Sequence, residues 1–133
     1  MSQRRRAREV AVQILFEDDV NPRATVDQMK RFLHGRLNNP EMEEFAQTLI
    51  LGVRRNLEEI DQKLSQIAAN WSLDRMAGSD RSVLRLAAYE VLYTETPFRV
   101  AVNEAIDLAK RFGGAQSGAF VNGILDKLRP EAS

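Results

Sequence analysis

The sequence contains no cysteine and only one histidine, His34. Disulfide bonds and cysteine-based metal sites are therefore excluded, which fits a reducing compartment such as the cytosol. A lone histidine without a cysteine partner gives no basis for metal or nucleophilic chemistry, and we expect it to be exposed near a helix end. The glycine pair Gly113-Gly114 lacks the spacing of a phosphate-binding loop. We therefore predict no enzymatic activity, no metal and no organic cofactor.

Long apolar runs are also missing. No run of about 18 apolar residues exists, so the sequence predicts no membrane span. The arginines near the start are followed by a periodic apolar pattern and not by the continuous run of a signal peptide, so we expect a cytoplasmic protein. Apolar and polar residues do not alternate over any useful length, which argues against a sheet. A chain of 133 residues is the usual size of one domain, and we predict a single domain over residues 1–133.

What the sequence does contain is apolar residues at helical spacing. The pattern predicts an all-α fold of about seven helices joined by short loops, as in helical bundles. The first helix spans residues 3–18, and Thr25 opens the second with a capping box. Asn39-Pro40 starts the third, which runs to about Arg55, and a capping-box form at Asn56 starts the fourth. The last three helices are predicted around residues 82–93, 102–112 and 117–128.

The stretch 82–93 is apolar around most of its helical circumference. A helix of this kind is buried, so we predict a central helix with others packed on several sides. Ser79 is the expected N-cap, and Asp80 suits the positive end of the helix dipole. Thr96-Pro97 should close the helix, because the residue before proline avoids helical geometry.

Arginine is concentrated at the start of a chain whose net charge is zero. Arginines number 15 against 4 lysines, and Arg4, Arg5, Arg6 and Arg8 precede the first acid, Glu9. A local arginine cluster on a neutral protein suggests a local anionic partner, because guanidinium groups bind phosphate in bidentate fashion and stack on bases. The alternative is a solvated helix start, and composition alone weighs the two equally.

The second candidate segment spans residues 113–120, a polar and glycine-rich turn that leads into the last helix. Ser117 can cap that helix. A helix N-terminus offers free N–H groups to phosphate, and the ring of Phe120 could stack on an unpaired base. The alternative is that Phe120 is the first core residue of the last helix, and the residues by themselves favour that reading.

Four segments occur in one order and together resemble a known family. They are RRRARE at 4–9, SDRSVLRLAAYE at 79–90, PFRVAVNEAIDLAKRFG at 97–113 and FVNGILDK at 120–127. The chain resembles the NusB family of transcription antitermination factors over nearly its whole length. The resemblance implies an all-α fold of two small helical bundles packed across each other.

The resemblance also implies a function. It implies binding of single-stranded boxA-type RNA together with NusE, a small-subunit ribosomal protein, in support of ribosomal RNA transcription by the elongation complex. The family's arginine-rich motif falls on Arg4, Arg5, Arg6 and Arg8. Its RNA-contacting turn and aromatic residue fall on Gln116, Ser117 and Phe120, and its acidic partner-binding position falls on Asp80. The turn departs from the family pattern, which has an acid near Gln116 and a basic residue near Ala119.

Two other functions compete with this one. The same helical fold occurs as the RNA-binding domain of ribosomal-RNA cytosine methyltransferases, but this chain has no room for the catalytic domain. It could also be a protein-only adaptor whose arginines merely face solvent. Some family members form homodimers that hide the RNA surface, and the sequence leaves a homodimer possible.

Overall fold

The computed structural model describes residues 2–130, and this part of the chain contains seven α-helices, two short 3-10 turns and no strand. The all-α prediction and the helix count are confirmed. The helices are α1 (Gln3–Val20), α2 (Val26–Leu37), α3 (Pro40–Arg55), α4 (Leu57–Ile67), α5 (Gly78–Tyr93), α6 (Phe98–Gly113) and α7 (Ala115–Leu125). The chain divides between Arg55 and Asn56 into two compact units, with α1–α3 in the first and α4–α7 in the second.

In the first unit, α3 packs against both α1 and α2. The apolar stripe predicted for α1 is buried, and α2 and α3 bury apolar stripes of the same kind. One ion pair joins the end of α1 to the end of α3: the Arg54 guanidinium donates two hydrogen bonds of 2.8 Å to the Asp18 carboxylate. Sequence periodicity gave no sign of this bidentate pair.

Local capping signals in the first unit are confirmed. Thr25 and Gln28 form a reciprocal capping box at the start of α2. The Asn39 Oδ1 accepts the backbone N–H groups of Glu41 and Met42 at 3.1 and 3.2 Å, so Asn39 caps α3. His34 lies near the end of α2 with its side chain 70% exposed, as expected.

In the second unit, α5 is central and packs against α4, α6 and α7. Its apolar residues from Val83 to Ala88 are at most 3% exposed, which confirms the predicted buried helix. The prediction is wrong for the last turn, where Leu92 is 41% exposed. The charge of Arg85 on α5 is paired, because its guanidinium donates hydrogen bonds of 2.8 and 2.9 Å to the Asp61 carboxylate on α4.

Two predicted N-cap residues in the second unit are wrong, and a third lies at the N-cap position without making the expected bond. Helix α5 already begins at Gly78, so Ser79 lies inside its first turn and Ala77 is the N-cap residue. Helix α7 begins directly after Gly114, which places Ser117 inside the first turn as well. Asn56 precedes α4 but makes no side-chain capping bond. At α7 the N-cap position is taken by Gly114, whose positive φ lets the helix start before Ser117.

Within residues 2–130, no helix is both long enough and apolar enough to cross a membrane.

Candidate nucleic-acid interface

The arginine segment, residues 4–8, occupies the first turns of α1. Ser2 caps the helix, and its hydroxyl accepts the backbone N–H of Arg5 at 3.1 Å. Two of the guanidinium groups lie over one aromatic ring of α3: the Cζ atoms of Arg4 and Arg8 are 4.6 and 5.2 Å from the centroid of Phe45. The apolar spacing of α3 predicts Phe45 as part of the core stripe, but the ring is only half-buried and supports two cations.

The four arginines differ strongly in exposure. Arg4 is exposed, Arg5 and Arg6 are half-buried, and Arg8 is only 5% exposed. Arg6 also donates a 2.7 Å hydrogen bond to the Glu9 carboxylate. The accessible positive surface of this segment is therefore formed by Arg4, Arg5 and Arg6. Arg8 lies outside the apolar stripe of α1 in the sequence pattern, but it is buried in the structure.

Placing Arg4 and Arg8 on one ring has an electrostatic consequence. Like charges four residues apart on a helix repel each other, whereas each cation is attracted to the negative face of the ring. The ring therefore holds both guanidinium groups in place. Arg4 remains exposed, and phosphate is an anion that planar guanidinium groups bind well.

The second unit brings four predicted site residues into one place. Asp80, Gln116, Ser117 and Phe120 line an open groove of about 360 Å³ formed by α5, α7 and the segment before α5. Trp71 and Arg75 complete its wall on the side of that segment. Asp80, predicted as a partner-binding residue, lies on the same groove as the predicted RNA-binding turn.

An aromatic pair forms one wall of this groove. The rings of Trp71 and Phe120 meet edge to face, with centroids 5.2 Å apart and an interplanar angle of 81°. Phe120 is half-buried, so it is not simply a core residue, and Trp71 is 55% exposed. No motif or apolar spacing in the sequence selects Trp71 as a site residue, because it lies in the connection between α4 and α5. One feature of the sequence could have indicated a role for Trp71: it is the single tryptophan of the chain, and it lies outside every predicted apolar stripe.

The turn between α6 and α7 shapes the other side of the groove. Gly114 has a φ of +89°, a conformation that L residues rarely adopt, and it lets α7 start immediately after α6. Gly113 has no room for a side chain, because a Cβ atom there would lie 2.2 Å from the Ser117 Oγ. The first turn of α7 has neither a side-chain cap nor an acidic residue, so its N–H groups remain available to an acceptor.

The charges in the groove are separated by depth. Asp80 is 8% exposed, and its Oδ1 atom is buried without a hydrogen-bond partner in the described part of the chain. Arg75 is exposed and lies on the same groove. A buried acceptor without a partner is uncommon in proteins and calls for an explanation, such as a missing ligand.

Taken together, the helical units, the arginine segment and the aromatic groove define a small all-α nucleic-acid-binding protein. The chain belongs to the NusB family, whose model matches residues 5–130 and so includes both units. It is therefore a transcription factor of the antitermination class and not an enzyme.

Individual relatives agree with this assignment. The transcription antitermination protein NusB of Anaeromyxobacter dehalogenans is 44% identical, over 96% of this chain and 90% of the relative. The solved structure of T. maritima NusB is 38% identical, with a TM-score of 0.82 and coverage of 94% of this chain and 89% of that one. A structure of antitermination factors NusB and NusE in complex with double-stranded RNA is 26% identical, with a TM-score of 0.85 and coverage of 96% of each chain.

Proposed function

We propose that this chain is a transcription antitermination factor that binds single-stranded boxA-type RNA together with NusE, as part of the transcription elongation complex in the cytoplasm. The observation that carries the proposal is the match of the NusB family model over residues 5–130, which includes most of the arginine segment and the whole groove. A relative of similar fold has been solved with NusE and RNA, which supports the same two partners here.

The two surfaces would contribute differently to RNA binding. Arg4, Arg5 and Arg6 supply accessible positive charge, and contacts to phosphate give affinity without sequence preference. Gln116, Ser117 and Phe120 offer a helix start and a partly exposed ring, which suit a phosphate and an unstacked base. We propose that the two units work as one RNA-binding domain, with Asp80 and Arg8 as further contact or supporting residues.

The proposal is tested by titrating a fluorescent boxA-type RNA with the protein, with and without NusE, at two salt concentrations. We expect NusE to strengthen binding, and a duplex of the same sequence to bind less well than the single strand. The molar mass of the free protein is measured first by light scattering, because a homodimer could hide the RNA surface. RNA affinity that is equal for single strand, duplex and unrelated strands, and indifferent to NusE, would contradict the proposal.

The role of the arginine segment has its own test. Each phosphate contact on a single strand adds about 0.7 to the slope of log affinity against log salt. Replacing Arg5 and Arg6 by alanine should weaken all RNAs similarly and flatten that slope. Replacing Arg23 and Arg31, two exposed arginines outside the segment, is the matched control and should leave the slope unchanged. An unchanged slope in the Arg5/Arg6 variant would place these arginines away from the RNA backbone.

A further inference from the structure

The tryptophan in the aromatic wall of the groove lies at the end of a strained turn. Helix α4 ends at Ile67, and the turn leads directly to Trp71, whose backbone N–H donates to the Ala68 carbonyl oxygen at 2.7 Å. Within this turn Ala69 has a φ of +21°, which an L residue rarely adopts. Such a conformation costs free energy and persists only where the surrounding structure holds it. The turn before Trp71 therefore depends on contacts from other segments.

One such contact comes from a residue that is distant in sequence. The Lys127 ammonium group donates a hydrogen bond of 3.1 Å to the carbonyl oxygen of Ile67, the last residue of α4, across 60 positions of sequence. The last carbonyl groups of a helix lack partners within the helix and carry its negative dipole end, so they favour a cation. Helix α4 has no basic residue in its last turn. Lys127 supplies the cation that α4 lacks, directly before the turn that leads to Trp71.

The backbone around Lys127 is well suited to hold this bond. Lys127 lies in the 3-10 turn Asp126–Leu128, and the side chain of Leu128 is buried in the core of the unit. The acidic neighbour of the lysine is engaged elsewhere, because the Asp126 carboxylate accepts a hydrogen bond of 3.1 Å from the Arg129 guanidinium. The Lys127 ammonium group can therefore bind the end of α4 from a fixed position.

The other end of the connection between α4 and α5 is held differently. Arg81 of α5 donates hydrogen bonds of 2.7 and 3.4 Å to the carbonyl oxygens of Leu73 and Met76, and both bonds are partly buried. These bonds hold the segment that enters α5. The Lys127 bond is exposed, so its loss should move the turn at Trp71 without unfolding the unit.

We propose that Lys127 is a positioning residue for the RNA-binding groove: its bond to the Ile67 carbonyl holds the turn that sets the Trp71 ring against Phe120. The proposal rests on the RNA-binding function proposed above and adds a residue that acts without touching the RNA. An exposed lysine of an RNA-binding protein could instead contact phosphate directly. The two roles differ in salt dependence, because a direct contact adds about 0.7 to the slope of log affinity against log salt.

The first experiment uses no RNA, because Trp71 is the only tryptophan of the chain and its fluorescence reports on this ring alone. Lys127→Met keeps the aliphatic stem and removes the ammonium group. We expect its emission to shift to longer wavelength and acrylamide to quench it more strongly, because the ring loses its contact with Phe120. Phe120→Ala removes that contact outright and gives the upper limit of both changes. Emission and quenching identical to wild type in Lys127→Met would overturn the proposal.

The second experiment measures binding of boxA-type RNA at several salt concentrations. Lys127→Met should bind about two- to tenfold more weakly, the effect of one hydrogen bond, and the salt slope should not change. Lys127→Arg keeps a cation and a donor and should restore both the emission and the affinity. A slope lowered by about 0.7 in Lys127→Met would show that the lysine contacts phosphate, which would refute the positioning role.

Two further variants serve as controls, and thermal unfolding checks that all variants fold. Lys63→Met removes the same charge from an exposed position of α4 and should change neither emission nor affinity. Lys127→Met combined with Phe120→Ala should bind RNA about as strongly as Phe120→Ala alone, because both changes act through one contact. Additive losses would overturn the proposal. If the wild-type protein binds no RNA, the proposed function is refuted, while the fluorescence experiment still decides whether Lys127 positions Trp71.

Discussion

The arginine segment of the first unit and the groove of the second unit, the two surfaces proposed to bind RNA, differ in how their polar groups are satisfied. In the arginine segment, the charged groups already have partners within the protein: Arg4 and Arg8 lie over Phe45, and Arg6 is bonded to Glu9. In the groove, the side chains of Asp80 and Arg75 have no such partners in the described residues. One surface is held in place before RNA arrives, and the other has polar groups that a ligand must satisfy.

This difference separates affinity from specificity. Cations that are already fixed lose little conformational entropy when phosphate binds, so they strengthen binding to any strand. A buried acceptor increases the affinity only of a ligand that places a hydrogen-bond donor against it. Any other ligand leaves the acceptor without a partner and binds less tightly. We therefore expect changes in the arginine segment to alter salt dependence, and changes in the groove to alter base preference.

The largest effect is expected from the helix that carries Asp80. Leu84→Ala truncates a fully buried side chain of α5 and should lower the free energy of unfolding by about 2–5 kcal/mol. Leu92→Ala, the same change on an exposed turn of the same helix, should cost about 0.5 kcal/mol or less. Urea unfolding measures both. Equal losses would show that α5 is not the central helix of its unit.

A smaller effect is expected at the aromatic wall of the groove. Phe120→Ala should weaken RNA binding by about 1–3 kcal/mol, the range for one stacking platform. Because the ring is half-buried, the loss of stability should stay below the 3–5 kcal/mol that is usual for a buried phenylalanine.

Phe98→Ala is the control for this change. It removes a similarly half-buried ring of the same unit that contacts Arg129 and does not line the groove, so it should leave RNA affinity intact. A folded Phe120→Ala protein that binds boxA-type RNA at wild-type strength would remove Phe120 from the interface.

The turn that positions α7 against the groove can be tested with one substitution made at two sites. Gly114→Ala forces a residue with a Cβ atom into a φ of +89° and a ψ of −175°, a region that is essentially restricted to glycine, and should destabilise the protein by about 1–3 kcal/mol. Gly35→Ala lies within α2 with open space around it and should stabilise by up to about 1 kcal/mol, because alanine favours a helix more than glycine does. Thermal unfolding should show shifts of opposite sign, and a shift of the same sign would mean that the turn relaxes freely.

Features that depend on neighbouring residues in the chain could be predicted from the sequence. The apolar stripe of α1, the capping box at Thr25 and the cap at Asn39 all follow from spacing within a few residues, and all are confirmed. The start of α7 could not be predicted in this way. There the positive φ of Gly114 replaces the cap that Ser117 was expected to provide.

Features that depend on packing between distant segments were missed. The contact of Trp71 with Phe120 and the support of Arg4 by Phe45 join residues on different elements, and no periodicity connects them. The resemblance to the family selected Gln116, Ser117, Phe120 and Asp80 without indicating that they share one groove. The chemistry of that groove depends on the burial of Asp80 and on the lack of a hydrogen-bond partner for its Oδ1 atom in the described residues. Neither property follows from sequence spacing.

The smallest expected effect tests whether the arginine segment is fixed in advance. Phe45→Leu keeps an apolar side chain of similar volume but removes the ring beneath Arg4 and Arg8. Arg4 is the exposed cation of the two, and its contact with the ring is worth about 0.5–1 kcal/mol. RNA affinity should fall by roughly two- to fivefold, the equivalent of that free energy. The salt slope should not change, because no cation is removed.

The matched control for this change lies in the same unit. Phe32 on α2 supports Arg36, whose Cζ atom is 4.6 Å from the ring centroid, so Phe32→Leu removes the same kind of contact outside the arginine segment. It should leave both RNA affinity and salt slope unchanged. If Phe45→Leu flattens the slope by about 0.7, an arginine has left the phosphates and the ring holds it on the RNA directly. If affinity is unaltered, the ring does not prepare the arginines, and the contrast between a fixed surface and a selective groove fails.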